Sequence, residues 1–134
     1  MSEDERSADR LPGEAFVVRG GIMEPERLRL NATVVHDDPE VGEWAVCAAS
    51  YPDMEPGEIA QAAEFRHKQM MVSKVETLRS RGFDVIPDPE EGPVHVLITL
   101  PVDSSENPSD EEWEVVWEDL RGCFDAPIRN PARR

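Results

Sequence analysis

"RHKQMMVSKVETLRSRG", residues 66–82, decides how the middle of this chain is read. Between Arg66 and Arg81 it carries five cations (Arg66, Lys68, Lys74, Arg79 and Arg81) against one acid, Glu76, for a charge of +4. The other 118 residues sum to −19. Ser73 organises the segment. Ser73-Lys74-Val75-Glu76 has the Ser-x-x-Glu form of a capping box, which predicts a helix starting at Lys74. That helix presents Val75 and Leu78 on one face and stops at Gly82, with Arg79 and Arg81 in its last turn, where the helix dipole favours cations. "QMMV", 69–72, is then a connector or a short extended segment. It follows a separate helix in "DMEPGEIAQAAEF", with Pro56 near its start and Ile59, Ala62 and Ala63 facing inward.

Upstream, "EAFVVRGG" reads as a strand from Ala15 to Arg19, halted by Gly20-Gly21. A helix is expected from Pro25, a residue favoured at the first helical position, with Leu28, Ala32 and Val35 on one face. The β-branched run Thr33-Val34-Val35 weakens its end. "DDPEVG" is a turn. "EWAVCAAS" is a strand with Trp44, Val46 and Ala48 on one side.

Downstream, "FDVIP" and "VHVLITL" are strands joined by the turn-rich "DPEEGP". Both faces of the second are mostly apolar, which places it inside a sheet. Ser109 and Glu112 form a second capping box, and Trp113, Val116, Trp117 and Leu120 follow as an apolar stripe at i, i+3, i+4, i+7. We therefore expect one α+β domain over 13–124, a small mixed β-sheet packed with about four helices. It is flanked by a polar, disordered tail over 1–12 and a loosely held, Pro-rich tail over 125–134.

The totals narrow the function. A chain of 134 residues suits one domain. A net charge of −15 repels nucleic acid and anionic membrane and favours basic partners. "MSEDERSADR" lacks the apolar core of a signal peptide, and no apolar run nears the ~20 residues a membrane helix needs. With Cys47 and Cys123 far apart and in apolar settings, a cytoplasmic protein with reduced thiols is expected.

Three surfaces carry candidate chemistry. From Asp103 to Asp119 there are eight carboxylates and no Lys or Arg, and Glu111, Glu114 and Glu118 line the side of their helix away from the tryptophans. Such a face steers a basic protein partner. "VVRGG" can offer backbone N–H groups, with Arg19 as a phosphate clamp, although no GxxxxGK or GxGxxG is present. "FVVRG" with "CAAS", ending at Ser50, resembles the Arg-Gly and Ser-Thr-Ser strands of ADP-ribosyltransferase-like enzymes. That resemblance implies NAD binding at Arg19 and Ser50, but "VHVLITLP" has no Glu where the catalytic one is expected. "EIAQAAEF" followed by "VSKVETLRSRGF" and two strands resembles a winged helix-turn-helix. This resemblance implies nucleic-acid contacts from Arg66, Lys68, Lys74, Arg79 and Arg81, against an acidic "DPEEGP" in place of the wing.

His36, His67 and His95 lie far apart without metal-ligand spacing. Taken together, "LPGEAFVVRGGIM", "VSKVETLRSRGF" and "VHVLITLP" resemble a group of short acidic proteins of high-G+C bacterial genomes, a likeness that implies no activity. The reading that results is a non-catalytic binding or regulatory protein that meets a basic protein through its acidic face, with no cofactor, no metal and no membrane. An NAD-binding enzyme and a DNA-binding protein are the alternatives.

Overall fold

The segment read as a connector or a short extended segment is a six-residue strand. In the computed structural model, which describes residues 11–132, Gln69–Lys74 forms β3 and pairs on both sides. Its first neighbour is β1 (Phe16–Gly20), in register from Phe16↔Lys74 to Gly20↔Met70. Met70, Met71, Val72 and Ser73 are all buried, two on each face, so the segment lacks the alternation that marks a half-exposed strand.

Ser73 is correspondingly no helix cap. Its hydroxyl donates to the Cys123 carbonyl at 2.7 Å, inside the core. The helix that follows, α3 (Val75–Ser80, numbering helices α1 to α4 along the chain), has Lys74 rather than Ser73 at its N-cap position and no side-chain cap. The carbonyls of Ala15 and Gly13 accept from Val75 N and Glu76 N at 3.0 and 2.9 Å instead, so tertiary contacts satisfy the first turn.

Among the described residues, six strands make one sheet in the order β4-β5-β2-β1-β3-β6, with β2 Ala45–Ser50, β4 Asp84–Pro87, β5 His95–Thr99 and β6 Ile128–Arg129. The α+β class and four helices match expectation. The sheet is antiparallel at every pairing rather than mixed. The remaining helices are α1 (Pro25–Asp37), α2 (Pro56–Ala62) and α4 (Asp110–Gly122).

Three helices cover one face. Leu28 and Ala32 of α1, Val75 and Leu78 of α3, and Trp113, Trp117 and Leu120 of α4 pack on Val17, Val46, Met71, Val85, Val96 and Ile98. Each large aliphatic side chain buried there contributes about 1.5–3 kcal/mol. Trp113 and Trp117 stack with centroids 5.0 Å apart, and the Ser109–Glu112 capping box is closed. Thr33-Val34-Val35 does not end α1 early, because Val35 is buried against the core.

On the other face the one helix is α2, which places Ile59 and Ala60 over Val18, Ala49, Met70 and Val72, with Met54, Phe65 and Ala132 packed beside them. Ala62, expected to face inward, is exposed, while Ala60 is buried. A seven-residue helix spans about 10 Å and cannot cover a six-stranded sheet. Part of this second face is therefore open.

Both tail boundaries shift. Leu11 is buried in the main core, and its carbonyl accepts from Arg79; the rest of the N-terminal tail expectation, 1–10, falls outside the described residues. At the other end, β6 adds an edge strand to β3, and Asn130 is fully buried. Residues 125–132 belong to the domain because Asn130 bonds into it.

Candidate functional site: a cationic cleft where two strands part

β1 and β2 pair only at Val17↔Ser50 and Val18↔Ala49. Continuing that register would set Gly20 against Cys47, but β1 instead stays with β3 as far as Gly20, and Gly21 N donates to Gln69 O at 2.8 Å. The strands separate, and side chains replace the missing ladder. Asn31 Oδ1, from α1, accepts from Cys47 N at 2.8 Å and from Arg19 Nη1 at 3.1 Å. Arg19 Nη1 also donates to the Cys47 carbonyl. Burial lowers the Arg19 guanidinium from its ordinary pKa, and the neighbouring Cys47 acts in the opposite sense. Arg19 Nε is buried without a hydrogen-bond partner.

The gap opens into a cleft of about 720 Å³. Arg19, Arg27, His67, Lys68 and His95 line it, with apolar walls from Ile22, Leu30, Cys47 and Phe65. Among the described residues lining it, Glu24 is the one carboxylate. The first turn of α1, from Glu24 to Arg27, borders the cleft, so the positive end of that helix dipole adds to the side-chain cations.

Gly20-Gly21 earns its place sterically. The His67 ring lies on these two residues, so a Cβ on Gly20 would come within 2.9 Å of His67 Cε1 and closer still to Nδ1. Gly21 also has φ of +86°, a left-handed conformation natural to glycine. The wall carrying His67 and Lys68 is held from behind. Asn130 Nδ2 donates to Phe65 O and His67 O at 3.1 and 3.0 Å, and Asn130 N donates to Lys68 O at 2.9 Å. On the far wall, His95 Nδ1 stands 3.3 Å from Asp88 Oδ2.

The chain matches no protein-family model, no curated protein and no solved structure.

Of the sequence-predicted residues, the cleft gathers Arg19 and Lys68. Ser50 is buried and does not line it: paired with Val17, it points to the main-core face of the sheet. The five cations of 66–81 are dispersed rather than clustered. β3 alone separates Lys68 from Lys74 by about 20 Å. Lys74 lies over the Phe16 ring at 5.5 Å, Arg79 pairs with Asp84 at 3.0 Å, and Arg81 pairs with Asp119 at 3.3 Å. Because β3 stands between α2 and α3, those helices do not form a helix-turn-helix. Glu111, Glu114 and Glu118 are exposed along α4 as expected.

Among the described residues, no group of three or more His, Cys, Asp or Glu side chains is placed to hold a metal ion, and no helix is long and apolar enough to cross a membrane. Sequence reasoning missed Arg27, Asn31, Cys47, His67 and His95. The one local signal, the glycine pair after Arg19, marked the cleft's position but not its other walls.

Proposed function

We propose that this chain is a small binding protein whose ligand site is the cleft between β1 and β2, and that its ligand is an anion. One observation carries the reading. In a molecule of net charge −15, three permanent cations and two histidines converge on a cavity with one carboxylate. Such a convergence is costly to build by chance on so acidic a surface, since the same cations would be drawn to unpaired carboxylates elsewhere. Among the described contacts no nucleophile–base pair lies in the cleft, and our reading is accordingly of binding rather than turnover.

The test is isothermal titration with inorganic phosphate and acetate as head-group probes. Binding is expected, and Arg27→Ala with Lys68→Ala should abolish it while leaving the melting profile intact, because both side chains are exposed. Arg19 is unsuitable for that test, since its loss also removes its bonds to Asn31 Oδ1 and the Cys47 carbonyl across the parted strands. Equal affinity in the double variant would overturn the proposal.

A second reading rests on α4. Asp110 and Asp119 pair with Arg29 and Arg81, whereas Glu111, Glu114 and Glu118 make no ion pair among the described residues and surround Val115, which is 59% exposed. An apolar centre rimmed by free carboxylates suits a basic protein partner. Capture of such a partner should disappear at high salt and in the Glu111→Gln, Glu114→Gln, Glu118→Gln triple variant; capture indifferent to both sinks the reading.

A further inference from the structure

The cleft continues into an aliphatic strip on the uncovered half of the sheet. Cys47 lies opposite Leu97, and Leu97 opposite Ile86, so the three form one row across β2, β5 and β4. With strands about 4.8 Å apart, the row runs roughly 10 Å from the cleft to the sheet edge. Cys47 and Leu97 are half-buried and Ile86 is 43% exposed. Leu30 of α1, which also lines the cleft, is 66% exposed. Asn31 and Arg19 engage the Cys47 backbone and Leu97 pairs with Ile86, so the backbone of the row itself is occupied up to β4, the edge strand. His95 and Thr99 flank Leu97 on the same face, but the three side chains of the row are apolar or weakly polar, and a saturated hydrocarbon lying on them needs no hydrogen-bond partner.

Resting on the anion reading above, we infer that the ligand is an anionic amphiphile. Its oxyanion head sits among Arg27, Lys68 and Arg19, and its alkyl chain lies along Cys47, Leu97 and Ile86. The occupant is a small molecule rather than a protein, because the strip is one row wide and opens directly from a cavity of small-molecule size.

Calorimetric titration of acetate, hexanoate and decanoate, all below micelle-forming concentrations, reads the tail directly. Affinity should rise by up to about fourfold per buried methylene along the series. Decyl phosphate beside decanoate distinguishes a phosphate from a carboxylate head. Ile86→Ser, at an exposed edge position, and Leu97→Thr add polarity without charge; each should shrink the chain-length gain while leaving inorganic phosphate binding unchanged. If phosphate binds but affinity is flat along the series, the tail assignment is wrong and the anion cleft stands. If neither phosphate nor any carboxylate binds, both fall. Chain-length dependence that survives Arg27→Ala with Lys68→Ala would mean adsorption without head recognition and would also overturn the inference.

Discussion

His67 and Gly20 pack so closely that each defines the other. The imidazole occupies the space a Cβ on residue 20 would need, and it is tethered from behind by the Asn130 bond to the His67 carbonyl. Gly20→Ala must therefore displace the ring or spread β1 from β3. Overpacking of this kind costs about 1–3 kcal/mol. The cost belongs to the pair, so His67→Ala in the same chain should recover most of it. A double-mutant cycle measured by chemical denaturation checks this, because contacting residues couple and independent ones add. Additive losses would show that residue 20 needs glycine for some other reason. The same contact explains why Arg19-Gly20-Gly21 marks a site. Arg19 bridges the parted strands, and the glycines let a histidine close the opposite wall.

At the scale of elements, the shortest strand has the largest consequence for the cleft. β6 has two residues, yet it brings Asn130 against the loop between α2 and β3, where three carbonyls depend on its donors. Asn130→Ala leaves the carbonyls of Phe65 and His67 without that partner. Buried, unsatisfied groups cost about 1–3 kcal/mol. The variant should melt earlier, and amide exchange should quicken at 65–69 before it does in β2 or β5; uniform acceleration would deny the clasp a local role. This is also where sequence reading met its limit. α4 was legible because Ser109, Glu112 and the tryptophan stripe all signal one helix, and β5 because its apolar run is bounded by turns. β3 was not, since Met70 through Ser73 are buried on both faces and show no period, while Ser73 mimics a cap it does not form. The tail read as loose because a single buried amide at Asn130, rather than an apolar pattern, holds it. The cleft was half legible: Arg19 stands beside a conspicuous glycine pair, but Asn31, Cys47, His67 and His95 come from four separate segments that only the fold brings together.

Across the whole molecule, a cationic cleft sits in an anionic body, and the two respond differently to salt. The chain has 29 acidic against 14 basic side chains. Ion pairs join just three of the acids to Lys or Arg among the described residues. Most carboxylates thus repel one another, and that repulsion opposes compaction. At 0.01 M salt the screening length is about 30 Å, comparable to the molecule; at 0.1 M it is about 10 Å. Adding sodium chloride should accordingly stabilise the fold, and a relief of about 1 kcal/mol raises the melting temperature by roughly 4 °C in a domain of this size. An anion entering the cleft feels the same distant carboxylates, which salt screens first. Its contacts with Arg27 and Lys68 lie well within a screening length and are weakened less. Phosphate affinity should therefore hold or rise between about 0.01 and 0.1 M salt and decline only above that. Parallel thermal melts and calorimetric titrations in sodium chloride test both arms. A steady fall in affinity from the lowest salt onward would mean that the acidic exterior does not reach the cleft, and the charge contrast on which the site assignment rests would lose its force.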